Sequence, residues 1–225
     1  MIYITGDTHI PVDISKLNSK RFPDQKNLSK NDLLIICGDF GGVWNNDNEE
    51  IYWRKWLEQK RFTTLFIDGN HENFKLLNEF EIVDFHGGKA HKISNSIYHL
   101  MRGQIYEIDG KRIFTFGGAS SHDKEYRTKD KNWWEEELPS NQELETAISN
   151  FEANEWNVDC IITHCAPSSV QEKISLKYSK DILTDFFEEI KNKTTFTKWF
   201  FGHYHVDVEI DDKFYCVFNN IEKLF

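Results

Sequence analysis

Proline and glycine are sparse in this chain, four and twelve of 225 residues. The few glycines gather at the ends of apolar runs, where close turns are needed, so a collagen-like or Gly/Pro-rich low-complexity chain is excluded. Long apolar runs are missing as well. No stretch approaches the ~18 residues that cross a membrane as a helix, and no basic, apolar, cleavable leader precedes the first run. The four cysteines, Cys37, Cys160, Cys165 and Cys216, form no Cys-x-x-Cys pair and read as buried free thiols. A soluble, cytoplasmic protein in a reducing compartment is the expectation, and because Asp7 lies so near the start, a cleaved leader would take the candidate site with it. Positive charge is also short: 27 Lys and Arg against 37 Asp and Glu, a net charge of −10. That argues against a basic nucleic-acid surface, which works by neutralising phosphates. Bound divalent cations would offset several carboxylates and could still make one cleft attractive to phosphate.

What is abundant is core material, with 39% hydrophobic residues including 18 Phe and 7 Trp. At this length the chain suits a single domain over residues 1–225, with a surface lid or insertion at about 120–139. Met1 to Ile4, Leu33 to Cys37, Leu65 to Ile67 and Cys160 to Ile162 are short continuous apolar runs that read as buried strands. Asp47 or Asn48 can cap a helix to about Lys60, with Trp53, Trp56 and Leu57 on one face. Strand, helix, strand favours parallel neighbours with ligands beyond the carboxyl ends of the strands. From Glu81 to Phe116 short alternating segments and the Asp109-Gly110 turn signal predict an antiparallel part, so the class is mixed α/β. Ser140 with Glu143 forms a capping box ahead of the stripe Leu144, Ala147, Ile148 and Phe151, and a second stripe runs Leu183, Phe186, Phe187, Ile190. A closing hairpin is expected from Val206 to Val217 around Asp211-Asp212.

The strand-like runs end in metal-competent side chains. A pair of hard to borderline divalent ions needs carboxylate, amide oxygen and imidazole ligands, with one group able to bridge. Asp7, His9 and His205 could hold one ion, Asn70, His164 and His203 the other, with Asp39 between. Two such ions ~3.5–4 Å apart share a water, lower its pKa and clamp both oxygens of an in-line displacement at phosphorus.

Asp7-x-His9, Gly38-Asp39, Gly69-Asn70-His71-Glu72, His164 and Gly202-His203-x-His205, in that order, resemble the five signature blocks of the calcineurin-like metallophosphoesterase superfamily. They span residues 7 to 205, nearly the whole chain. The resemblance implies two mixed β-sheets packed as a sandwich and flanked by helices, a four-layer α/β fold. It also implies a dinuclear site of Mn, Fe, Zn, Ni or Co and a phosphoester substrate hydrolysed by a metal-bridging hydroxide. It assigns the seven ligands as above and makes His71 a catalytic residue that stabilises or protonates the leaving oxygen. One block departs from the phosphoprotein phosphatase branch. Gly38-Asp39 continues as Phe40-Gly41-Gly42-Val43-Trp44, without the Asp and Arg found there, which weakens a protein-phosphatase assignment. Phosphate-gripping cations are then expected from Arg102, Lys124 or Arg127, and Gly41-Gly42 could let the backbone approach substrate.

Other residues carry plainer readings. His86, His91, His99 and His122 read as ordinary hydrogen-bonded histidines, Cys165 as a structural thiol, Trp133-Trp134 as an anchor for the lid, and Glu72 as support for its own turn. Two rivals to the enzyme are a non-catalytic metal-binding interaction module on the same fold and a nuclease of the same superfamily. The complete ligand set counts against the first and the acidic balance against the second.

Overall fold

Apolar side chains alternate faces along each central strand, and this alternation separates the molecule into layers. The computed structural model describes residues 1–225. Its strands are β1 (Ile2–Thr5), β2 (Leu33–Ile36), β3 (Thr63–Phe66), β4 (Ile82–Phe85), β5 (Gly88–Ser94), β6 (Ile97–Leu100) and β7 (Gln104–Ile108). They continue as β8 (Lys111–Phe116), β9 (Cys160–Thr163), β10 (Lys198–Phe201), β11 (Val208–Ile210), β12 (Phe214–Cys216) and β13 (Glu222–Lys223). The helices are α1 (Asn48–Glu58), α2 (Phe74–Leu77), α3 (Asn141–Ala153), α4 (Ser168–Ile174) and α5 (Ile182–Lys193). No helix is long and apolar enough to cross a membrane.

The strands form two mixed sheets. The first has the order β13-β1-β2-β3-β6-β5-β4, parallel from β1 through β6 with antiparallel edges, and the second β11-β12-β10-β9-β8-β7, parallel from β12 through β8. In β2, Leu33 and Ile35 point between the sheets while Leu34 and Ile36 point outward. In β9 and β10, Ile162 and Phe200 point inward while Ile161, Trp199 and Phe201 point outward. Three cores result. One lies between the sheets, one between the first sheet and α1, and one between the second sheet and α3, α4 and α5. The chain is therefore an α/β sandwich of four layers.

The helices begin where the caps place them. The Asp47 carboxylate accepts the Glu49 and Glu50 N–H groups, the Ser140/Glu143 capping box opens α3, and Asp181 caps α5. The middle third differs from the single antiparallel part the sequence suggests. β4, β5 and β6 do form an antiparallel meander, but β6 joins β3 in parallel and the hairpin β7-β8 belongs to the other sheet. The cause is the turn at Met101–Gly103, where the chain crosses between the sheets.

Candidate metal centre

Five loops leave the carboxyl ends of β1, β2, β3, β9 and β10 and converge on one crevice, where parallel sheets bind ligands. The backbone pays for this convergence in conformation: His9, Asp39, His203 and His205 all sit at positive φ, 33°, 45°, 67° and 53°. For non-glycine residues such strain persists only where the surroundings enforce it, and it clusters at functional sites. Glycine clears the room. A Cβ on Gly69 would overlap Asp39 Oδ1, and one on Gly202 would overlap Asp7 Oδ1.

Asp7 and Asp39 are buried. Asp7 accepts the His203 N–H at 3.1 Å, and its Oδ2 lies 3.1 Å from His205 Nε2. Asp39 Oδ2 lies 3.2 Å from His9 Nε2, while Oδ1 lies 3.4 Å from His164 Nε2 and accepts the His71 N–H at 2.8 Å. One oxygen of Asp39 thus faces each half of the crevice. Ligand atoms of Asp7, His9, Asp39 and His205 all lie within 4.8 Å of one another. In the other half, Asn70 Oδ1 is 3.3 Å from His164 Nε2, and the His164 and His203 rings meet edge to face at 5.0 Å.

The rings are oriented from behind. His9 Nδ1 is 2.8 Å from Asp13 Oδ2, which turns Nε2 into the crevice, and His164 Nδ1 is 2.7 Å from the Cys37 carbonyl. Because only a donor can face that carbonyl, Nδ1 of His164 carries a proton, and a ring with no second proton presents its Nε2 lone pair to two oxygens. Lone pairs of three atoms converging on one space fit a cation there. Electrostatics agree. Burial works against a charged His9, yet the hydrogen bond and charge of Asp39, with Asp7, raise it to about 9, so the two carboxylates hold there a proton that a bound cation would displace. Burial and His164 push His203 down to about 3, the neutral form a metal ligand requires. Burial also opposes ionised Asp39, but His164 and His9 outweigh it and hold the carboxyl well below its usual range. The donor set of carboxylate, amide and imidazole suits borderline divalent ions.

His71 packs beside His9, ring centroids 5.7 Å apart. Arg127 Nη2 lies 3.4 Å from His71 Nε2, and Asp123 anchors the Arg127 guanidinium at 2.7 Å. Burial, then Arg127, His9 and His164, lower the His71 pKa against the pull of Asp39. Arg127 thus reaches the crevice, with Asp123, His122 and Tyr178, around a space of about 290 Å³. Lys124 is exposed and does not line it. Arg102 corrects the expectation of a phosphate contact. Its guanidinium is buried, with Nε and Nη2 donating to Asp68 Oδ2 at 3.0 and 2.6 Å. The reason is register: β3 and β6 are parallel neighbours, so residues just past their ends meet. Gly41 is likewise pressed against the Ile10 backbone, which gives its lack of a side chain a packing cause. Trp134 is buried edge-on to Trp44 and anchors the 120–139 segment, and Glu72 accepts the Phe40 N–H at 2.7 Å. Sequence reasoning missed Asp13, Ser121, His122 and Tyr178. None lies in a periodic run or a block.

The Asp68 ion pair extends through His99, 3.1 Å away, to His91, whose Nδ1 is 2.9 Å from His99 Nδ1. Burial, then His99, push His91 down to about 4 against the pull of Asp68. An unfolded histidine takes its proton near pH 6.5, so below that pH the unfolded state binds more protons. Stability then falls with pH through the window from about 6.5 to about 4, by on the order of 3 kcal/mol. His91→Gln is expected to flatten that slope in urea unfolding measured across the window. An unchanged slope would assign it elsewhere.

A family model described as calcineurin-like phosphoesterase matches residues 1–207. Comparison with curated proteins returns no match. With the match covering the five site loops and most of both sheets, the chain belongs to the calcineurin-like phosphoesterase family.

Proposed function

We propose that this protein hydrolyses a phosphoester at a pair of divalent ions held in the crevice. The observation that carries the reading is the convergence of Asp7, His9, Asp39 and His205 within 4.8 Å, with His164 against the other oxygen of Asp39 and Asn70 beside His164. Asp7, His9 and His205 would hold one ion, Asn70, His164 and His203 the other, and Asp39 both. Such ions, when bound, supply an attacking water of lowered pKa and neutralise charge developing on the phosphoryl oxygens. All seven ligand positions carry donor side chains, which favours the enzyme over a scaffold that has lost them.

The rest of the chemistry falls to the chain's own groups. Arg127 is fixed by Asp123 at Nε and by the Asn132 carbonyl at Nη1, and its Nη2, beside His71 at the wall of the crevice, has a further N–H for a phosphoryl oxygen. His71, whose Nε2 accepts from Arg127 and whose pKa is lowered, carries its N–H on Nδ1 and donates from there to the leaving oxygen. On the far side of His71 a second space of about 270 Å³ is lined by Trp44, Asp47, Glu49 and Glu50 and by no Lys or Arg. The phosphoryl group belongs on the Arg127 side and the alcohol on the Trp44 side. Carboxylates there repel an anionic alcohol, whereas Trp44 gives a neutral or cationic one a surface.

The test is a set of phosphoesters with neutral, cationic and anionic leaving alcohols, assayed with Mn²⁺ at low salt. Anionic leaving groups are expected to have kcat/KM lower by about tenfold or more, equivalent to about 1.4 kcal/mol. The Asp47→Asn, Glu49→Gln double variant should narrow that gap. Equal rates across the set would remove the assignment of the alcohol, and no hydrolysis of any member with metal bound would remove the enzyme reading.

A further inference from the structure

Asn70 meets the crevice as an amide, and an amide has only one end that can bind a cation. Turned over, it would present its NH₂ group to the ions and the ligand would be lost. Its orientation depends on what the other end touches. Nδ2 lies 3.2 Å from Ser121 Oγ in a buried contact, which leaves Oδ1 facing His164 Nε2. For that contact to hold the amide, Ser121 must itself be fixed in place. Glu137 does this: the Ser121 backbone N–H donates to Glu137 Oε2 at 3.0 Å, which fixes the residue that carries the hydroxyl. Held there, Oγ accepts from the Nδ2 end of the Asn70 amide.

Glu137 is 1% exposed and its Oε1 has no protein donor within hydrogen-bond reach. A buried carboxylate with an idle oxygen lowers stability, so folding does not account for it. Its own position is fixed from the Asp68 network, because Arg102 Nη2 donates to the Glu136 carbonyl at 2.7 Å. Ser121 and Glu137 stand near the two ends of the 120–139 segment and far from every signature block.

We propose that Ser121 and Glu137 are positioning residues that hold the Asn70 amide with its oxygen toward the metal pocket. The inference rests on the reading of Asn70 as a ligand. It makes the 120–139 segment part of the support of the metal centre as well as a wall of the crevice. Removing such support typically weakens a metal site by about 10–100-fold.

The experiment is a Mn²⁺ titration of the metal-stripped full chain, read by electron paramagnetic resonance. Wild type should take up two ions. Ser121→Ala should weaken one of them by about 10–100-fold and leave the other unchanged, while Ser121→Thr, which keeps the hydroxyl, should restore it. In an Asn70→Asp background, Ser121→Ala should have no effect, because a carboxylate presents an oxygen whichever way it turns. Melting temperatures of the stripped variants identify any that fail to fold, and Ser121→Thr then carries the comparison. Wild-type affinity in Ser121→Ala, or an equal loss in the Asn70→Asp background, would overturn the proposal and leave the metal centre standing. A wild-type chain that binds no ion would overturn both.

Discussion

An Asp39→Asn variant is expected to fold and to lose turnover by about 10³-fold, the rate equivalent of about 4 kcal/mol. Asp39 has one oxygen toward His9 and the other toward the Nε2 face of His164, so it faces both halves of the crevice. An amide supplies one neutral oxygen where two charged ones stood, and the second face would receive an NH₂ group. The loss should appear in kcat at saturating Mn²⁺, because charge stabilisation at phosphorus is what a shared carboxylate and its ions provide. Turnover within tenfold of wild type would mean that the two halves do not work through Asp39. Circular dichroism and the melting temperature separate this from unfolding. Asp39 Oδ1 also accepts the His71 N–H, a contact that an amide oxygen can retain.

The second large effect is that of His71→Ala, expected to lower kcat by about 10²–10⁴-fold on an alkyl phosphoester. On a nitrophenyl ester the loss should be small, since nitrophenolate departs without a donor. The contrast is the informative part. Burial and Arg127 lower the His71 pKa, so in the proposed reaction its contribution is a hydrogen bond to the developing alkoxide, and its need grows as the alcohol becomes a poorer leaving group. A steeper dependence of rate on leaving-group basicity in the variant is the expected signature. Equal losses on both esters would assign His71 to substrate placement.

The parts of the fold legible in the sequence are those governed by local periodicity. Leu33 to Ile36 is apolar at every position because alternate residues enter different cores, and Ser140 with Glu143 announces α3 because a cap is a four-residue event. The candidate ligands were legible for a related reason: each lies within four residues of a strand end, so order along the chain foretells convergence in space. Strand pairing is non-local and escaped. Arg102 and Arg127 look equivalent as letters, yet the parallel pairing of β3 with β6 delivers Arg102 to Asp68, while the 120–139 segment carries Arg127 over the crevice. His122 and Tyr178 reach the His203 ring from irregular segments with no pattern to read. Ser121 and Glu137 were hidden for the same reason, since a support residue is defined only by what it touches.

Metal content decides the central claim most directly. The full chain, stripped with a chelator, reloaded with excess Mn²⁺ and freed of unbound metal, is to be measured by inductively coupled plasma mass spectrometry. Two ions per wild-type chain, with a fall in the Asp39→Asn variant, is the expected result. No bound ion in wild type, or a content indifferent to Asp39, would contradict a metal pair held by these residues.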